Sequence, residues 1–115
     1  MIESSKKVKP WRDAVAWAGR EAMAGREPLD GPLACQIVYT LATPKSAPKR
    51  RATFPDRKPD GDKLDRSTHD ALTTARVWGD DAQVVEWSGA KRYPGEGADA
   101  LPHIGAIIRV WRLTD

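Results

Sequence analysis

The spacing of apolar residues predicts two helices. One apolar stripe recurs at helical spacing after Pro10, a residue favoured in a first helical turn, and it ends before Gly25, so we predict a helix over 10–24. This stripe consists of Trp11, Ala14, Val15, Ala18 and Ala22. Asp62 opens a second predicted helix that ends near Arg76. Its apolar stripe consists of Leu64, Thr68, Ala71, Leu72 and Ala75.

Three further segments are predicted to be strands. Residues 33–41 are rich in β-branched and aromatic side chains, which indicates a strand buried on at least one face. Residues 83–91 and 104–111 are the other two candidates, and a segment rich in glycine and proline separates them. Together these elements predict an α+β fold in which a small mixed sheet carries two main helices.

Length and composition bound the domain organisation. A chain of 115 residues is long enough for one domain, which we place at 10–115 after a flexible basic arm at 1–9. Within it, 43–59 is predicted to be a basic, mobile loop because four prolines interrupt it. No apolar run is long enough to cross a bilayer, and the lysine-rich start lacks the apolar core of a secretory signal. We therefore expect a cytoplasmic protein without a membrane partner.

Charge and cysteine content narrow the classes of function. The net charge is +3, but basic residues concentrate before Lys63 while acidic residues dominate the centre. This asymmetry suits a polyanion-binding surface around an acidic pocket. Cys35, the single cysteine, lies in an apolar run and is expected to be buried and inert. His69 and His103 lack the spacing of a zinc pair, so we expect structural or surface roles for both.

Two acidic clusters carry the candidate chemistry: Asp60 with Asp62, and Asp80 with Asp81. Carboxylates brought together in a fold repel one another unless a cation neutralises them, so the clusters favour a divalent metal site. The alternative is local structure, since Asp62 is also a suitable N-cap and aspartates are common in turns. Asp65 and Asp70 are expected to be solvated or structural.

The residues around these clusters resemble a known family. The stretch 58–72, Lys-Pro-Asp-Gly-Asp-Lys-Leu-Asp-Arg-Ser-Thr-His-Asp-Ala-Leu, and the stretch 77–85, Val-Trp-Gly-Asp-Asp-Ala-Gln-Val-Val, are similar to the RusA-type Holliday junction resolvases of phages and bacteria. These crossover junction endodeoxyribonucleases carry a Pro-Asp-x-Asp-Asn-Leu helix start and a Val-Trp-x-Asp-Asp-x-Gln-Val turn. Pro44-Lys45-Ser46 also resembles the family's Pro-Lys-Ser loop.

The resemblance implies a homodimeric, magnesium-dependent endonuclease that resolves four-way DNA junctions in recombination and repair by paired nicking. Mn²⁺ is the alternative ion. The family's metal-binding aspartates fall on Asp60, Asp62 and Asp81, with Asp80 as the second-choice ligand. Its helix lysine falls on Arg66, which can hold a phosphate but cannot act as a base. Glu86 is a low-ranked outer ligand.

DNA contacts are assigned to basic residues, because phosphate contacts give affinity without base specificity. The residues of the basic loop are Lys45, Lys49, Arg50, Arg51, Arg57 and Lys58. The resemblance adds Lys91, where the family often places a basic residue late in the next strand. Among the five tryptophans, Trp78 beside the carboxylates is the candidate for stacking on an unpaired base.

The amino terminus departs from the family pattern. Family members begin with a strand and a Pro-x-x-Lys-x-Arg stretch before the first helix, whereas this sequence reaches Pro10 almost at once. We therefore expect a shortened form. This departure leaves a second hypothesis: the chain is a noncatalytic module that lacks the amino-terminal strand and binds branched DNA. A third, remote reading is a metal-dependent nucleotide hydrolase.

Overall fold

Two helices and a three-stranded sheet make up the described part of the chain. The computed structural model describes residues 2–42 and 61–113, with the backbone alone for 2–9. The elements in chain order are α1 (Ile2–Met23), β1 (Leu33–Thr40), α2 (Gly61–Thr74), a short 3₁₀ helix (Asp81–Gln83), β2 (Val84–Arg92) and β3 (Gly105–Arg112). The predicted loop at 43–59 lies outside the described residues.

The sheet is mixed and has β1 at its centre. Its strand order is β2–β1–β3, with β1 parallel to β2 and antiparallel to β3. Parallel neighbours need a crossover connection, and α2 lies in the one that links β1 to β2. The prediction of a small mixed sheet with two main helices is confirmed for the described residues.

A shift in the pairing of β1 with β2 determines which side chains of β2 face the helices. Leu33 pairs with Val84 but Ala34 pairs with Glu86, so Val85 is an extra residue in β2. From there the pairing is regular, and Trp87 lies opposite Cys35. Side chains of paired residues point to the same face of a sheet, so Trp87 shares the face of Cys35.

The core lies between that face of the sheet and the two helices. Alternate residues of β1 enter it, namely Leu33, Cys35, Ile37 and Tyr39. The helices contribute Val15, Ala16, Met23, Ala71 and Leu72. Nearly all of β1 is buried, as expected for the middle strand of a covered sheet. Cys35 is 2% exposed, which confirms its predicted burial.

The first helix is longer than the sequence pattern predicts. It begins at Ile2 and includes Pro10, whereas the prediction places a flexible arm at 1–9 and the helix start at Pro10. A proline inside a helix removes one backbone hydrogen bond, whereas a proline in the first turn does not. The sequence alone therefore favours a helix that starts at Pro10. The preceding residues contain neither glycine nor another proline, however, so nothing else in them breaks a helix. Elsewhere the predicted boundaries differ by one or two residues.

No helix in the described ranges combines the length and the apolar character that a membrane span requires.

The two helices approach closely at Gly19. A Cβ atom added there would lie 3.0 Å from the Ala75 Cβ and 3.3 Å from the Val77 Cγ2. Both distances are shorter than ordinary van der Waals contact between carbon atoms. Gly19 therefore permits α1 to pack against the end of α2, which in turn leads into the turn that carries Asp81.

We predict that Gly19→Val lowers the free energy of unfolding by about 1–3 kcal/mol, because the added side chain overpacks the contact between the helices. Urea unfolding measures the effect. Ala14→Val is the matched control, since it adds a β-branched residue at an exposed position of the same helix. Valine is a better helix former than glycine, so a loss in Gly19→Val cannot come from helix propensity, and an unchanged free energy of unfolding in this variant would contradict the close approach.

Candidate active site

A polar cleft of about 440 Å³ lies between the first half of α2 and the start of β2. Its lining brings together acidic, basic and aromatic side chains that are distant in sequence. They are Asp62, Asp65, Arg66, His69, Asp81, Val84 and Trp87. Two of the aspartates assigned to the metal, Asp62 and Asp81, thus share one cleft with Arg66.

The first turn of α2 supplies Asp62. The helix begins at Gly61, so Asp62 lies inside the first turn and the N-cap alternative for this residue is wrong. A carboxylate in a first turn interacts favourably with the positive end of the helix dipole. Arg66 lies one turn further along the same side of the helix, and both side chains are exposed to solvent. A phosphate in the cleft can therefore reach Arg66 without displacing packed structure.

The turn before β2 gives its two aspartates different surroundings. Asp80 caps the 3₁₀ helix: its Oδ1 accepts a hydrogen bond from the Ala82 backbone N at 2.9 Å. The Gln83 Oε1 accepts in return from the Asp80 backbone N at 3.0 Å, which completes a capping box. Asp81, the next residue, lines the cleft. One aspartate thus shapes the turn and the other faces the site.

Gln83 fastens this turn to the loop before β1. Its Nε2 donates to the backbone oxygens of Leu29 and Gly31, both at 3.0 Å. Its Oε1 also accepts from the Gly79 backbone N at 3.0 Å. A single amide side chain therefore joins two loops and fixes the position from which Asp81 enters the cleft.

A hydrogen bond from a core residue fixes the Asp65 carboxylate. Its Oδ1 accepts a hydrogen bond of 2.6 Å from the hydroxyl of Tyr39, a residue that is 1% exposed. The carboxylate also lies over Gly89 of β2, where an added Cβ would be 3.0 Å from the Asp65 Oδ1 and 3.1 Å from its Oδ2. Gly89 thus leaves the room that this carboxylate occupies.

The same hydroxyl belongs to a wider network. Tyr39 Oη lies 3.2 Å from Thr68 Oγ1, which accepts from Trp11 Nε1 at 3.1 Å and donates to the Leu64 backbone oxygen at 2.8 Å. The aromatic rings of Trp11 and Tyr39 also pack together, with centroids 6.1 Å apart. The network connects α1, β1 and α2 beneath the cleft.

Burial changes the acidity of two groups on β1. Desolvation, together with the hydrogen bond to Asp65, raises the pKa of the Tyr39 hydroxyl well above its ordinary value. Desolvation also raises the pKa of the Cys35 thiol to about 11, with a smaller contribution from the negative charge of Asp65. Because the reactive form of cysteine is the thiolate, the buried Cys35 is unsuited to be a nucleophile.

The aromatic residue at the cleft is not the one that the sequence suggests. Trp78 is fully buried, its Nε1 donates to Thr73 Oγ1 at 2.7 Å, and its ring meets His69 edge-on at 5.7 Å. Trp78 cannot stack on a base without unfolding this region, so that prediction is wrong. Trp87, 64% exposed, lines the cleft instead. Glu86 pairs with Ala34 and so lies on the other face of the sheet from the cleft.

The side chains that line the cleft include donors that a divalent cation accepts. Carboxylate oxygens suit Mg²⁺, and Asp62, Asp65 and Asp81 supply them. In the described ranges, however, no three acidic, histidine or cysteine side chains come close enough together to hold a metal ion. Asp60, the remaining assigned ligand, lies outside those ranges. The chemistry of the donors fits Mg²⁺, and the ligand set stays a prediction.

Most of the assigned DNA contacts also lie outside the described residues: Lys45, Lys49, Arg50, Arg51, Arg57 and Lys58. Lys91 lies within them, half-buried in β2 and paired with Tyr39 in the sheet. The Lys91 residue has a noncovalent partner within the protein. Its contact with DNA stays a prediction.

Asp65 fits the prediction of a structural carboxylate, since its Oδ1 accepts a hydrogen bond from Tyr39; its place in the lining of the cleft is what sequence reasoning missed. Asp65, Thr68 and Leu72 share one side of α2 at spacings of three and four residues. Thr68 and Leu72 are buried, so this helical spacing indicates that Asp65 lies on the side of α2 that faces the rest of the protein. Nothing comparable in the sequence marks Tyr39 as its partner.

The comparisons with known proteins agree with the motif. The family model described as "Endodeoxyribonuclease RusA" matches residues 2–100, which include α1, β1, α2 and β2. No curated protein sequence matches the chain significantly.

We predict that Gln83→Ala lowers the free energy of unfolding by about 1–3 kcal/mol, because it leaves backbone groups of two loops without their partner. Urea unfolding measures the loss. Gln36→Ala is the control, since the Gln36 side chain accepts an exposed hydrogen bond from Arg109, and it should cost less. A loss no larger than that of Gln36→Ala would contradict the anchoring role.

We predict that Tyr39→Phe costs about 1–3 kcal/mol at pH 7, because the Asp65 carboxylate loses a charge-assisted donor. Tyr93→Phe, at another buried tyrosine, is the control and should cost less.

The cost of Tyr39→Phe should depend on pH. The folded-state pKa of Tyr39 is raised, so its contribution is complete below about pH 10, the ordinary tyrosine value, and is lost as the pH rises above it. Urea unfolding between pH 7 and pH 11 should show the wild type losing stability faster than Tyr39→Phe at the alkaline end. Cys35 is present in both proteins, so its own titration contributes to both profiles. Parallel profiles would contradict the assignment.

Proposed function

Because the chain belongs to the RusA family of endodeoxyribonucleases, we propose that it resolves four-way DNA junctions by magnesium-dependent paired nicking, in recombination and repair. The observation that supports this proposal is the cleft in which Asp62, Asp81 and Arg66 meet. Carboxylates for a cation and a guanidinium for a phosphate are the groups that hydrolysis of a phosphodiester requires.

Each residue has a role that follows from its position. Asp62 and Asp81, with Asp60, are the proposed ligands of Mg²⁺. The chemistry supplied by the bound ion is neutralisation of phosphate charge and activation of a water molecule for attack. Arg66, exposed beside Asp62, holds the scissile phosphate through its planar guanidinium group. Because arginine keeps its proton, Arg66 orients the phosphate and does not transfer protons.

Asp65 has a supporting role in this scheme. Tyr39 fixes its Oδ1, so the carboxylate enters the cleft with its orientation set by the core. Its negative charge increases the attraction of the cleft for a cation. The rigid support below the cleft is consistent with a site whose groups must be positioned before the substrate arrives.

We further propose that the protein acts as a homodimer in the cytoplasm of a bacterial or phage-infected cell. Resolution of a four-way junction requires nicks on paired strands, and two sites related by a twofold axis provide them. Branched DNA is the proposed partner, with phosphate contacts from the basic residues assigned above.

A noncatalytic module that binds branched DNA is the second candidate. Such a module would bind junctions in a salt-sensitive manner without forming a magnesium-dependent product.

We predict that the purified protein nicks a synthetic four-way junction when Mg²⁺ is present, and that Asp62→Asn and Asp81→Asn each reduce the rate at least about 100-fold, as expected when a group acting on transition-state charge is lost. Both variants should still bind the junction, because phosphate contacts supply the affinity. Gel mobility shift measures binding and a denaturing gel measures cleavage.

Glu21→Gln is the matched control, because it removes an exposed carboxylate from α1, outside the cleft. It should cleave like the wild type. Cleavage by Asp62→Asn at the wild-type rate would overturn the metal assignment. Junction binding by the wild type without any magnesium-dependent product would favour the noncatalytic module.

A further inference from the structure

Trp87 is a large aromatic side chain that the fold leaves open to solvent. It is 64% exposed, whereas Trp78 is fully buried and Trp11 is packed against Tyr39. Trp17 of α1 is equally exposed, so the feature that distinguishes Trp87 is its location. The location of Trp87 is the lining of the polar cleft.

The path of β2 places Trp87 there. The extra residue Val85 shifts the pairing, and Trp87 thereby points to the face of the sheet that carries the helices. Gly89, the next residue on that face, carries no side chain and lies beneath the Asp65 carboxylate. Apart from Val84, the described residues that share the cleft with Trp87 are polar or charged.

The surroundings identify the class of ligand. A flat aromatic surface beside a guanidinium group and carboxylates matches a nucleotide, which has a base to stack and a phosphate to hold. An apolar peptide would meet Asp62, Asp65 and Arg66 in the same cleft without partners for their charges. Stacking tolerates any base because every base has a π-face.

We propose that Trp87 stacks on an unpaired nucleobase at the branch point, next to the phosphate that Arg66 holds. This proposal rests on the proposed function and extends it to the recognition of branched over linear DNA. In a continuous duplex each base is already stacked on its neighbours. Trp87 therefore stacks chiefly on a base that has lost a stacking neighbour where the strands exchange. Trp87 thus determines specificity for structure and not for sequence.

The test uses a four-way junction that carries the fluorescent base 2-aminopurine at the crossover. It is titrated with the full chain without Mg²⁺, so that binding is measured in the absence of cleavage. Stacking on an indole ring changes the emission of the probe. Trp87→Leu should weaken junction binding about 5-fold to 150-fold and remove the emission change, the range expected for loss of one stacked base.

Two further variants serve as controls. Trp17→Leu removes a tryptophan that is equally exposed, at 64%, on α1 and outside the cleft, and it should behave like the wild type. Trp87→Phe keeps a smaller ring and should retain part of both the affinity and the emission change. Because this variant preserves an aromatic side chain, it separates lost stacking from a damaged fold. The affinity for a linear duplex is a second control, and it should stay within about 2-fold of the wild-type value in all variants.

Several outcomes would overturn the proposal. Junction affinity and probe emission of Trp87→Leu equal to those of Trp17→Leu would do so while leaving the nuclease function intact. A change of oligomeric state in Trp87→Leu, seen by sedimentation with the probe signal preserved, would assign the side chain to a protein contact instead. Failure of the wild type to bind any junction would overturn both this proposal and the proposed function.

Discussion

The hydrogen bond from the Tyr39 hydroxyl to the Asp65 carboxylate, 2.6 Å long, links the core of this protein to its cleft. Tyr39 lies in the central strand, and its hydroxyl also adjoins Thr68, which Trp11 of α1 contacts. A buried tyrosine hydroxyl needs a partner, and a carboxylate at a cleft needs an orientation. One contact meets both needs, so burial in the sheet and placement of charge in the cleft depend on each other.

The opposite wall of the cleft is built by a different device. Asp81 sits on a short turn with little packing of its own, and Gln83 ties that turn to the loop before β1 by two bonds to backbone oxygens. Asp80 takes the local capping role, which leaves Asp81 available to the cleft. Two adjacent aspartates of equal intrinsic chemistry thus acquire separate functions through one helical cap. The cleft is positioned by hydrogen bonds on this side and by the core on the other.

Much of the fold could be predicted from the sequence, and the site only in part. Helical periodicity located both helices, and β-branched and aromatic composition, with a break rich in glycine and proline, located the strands. The motif brought Asp62 and Asp81 together as candidates. The structural role of Asp65 was anticipated, but its partner and its place in the cleft were not, because Tyr39 lies in another element and sequence spacing within one helix does not reveal such a contact. The start of α1 was misjudged because Pro10 is equally familiar as a first-turn residue.

The position of Trp87 at the cleft has a geometric cause. Had β2 paired with β1 without interruption, Glu86 would lie opposite Cys35 and point toward the helices, while Trp87 would point to the other face. The extra residue Val85 reverses this parity, so that a carboxylate leaves the cleft side and an aromatic ring enters it. A bulge of one residue carries no periodic signal, and a strand assignment correct to within one residue still leaves the facing side chains undetermined. The chemical character of the cleft therefore depends on a local irregularity in the sheet as much as on the acidic motif itself.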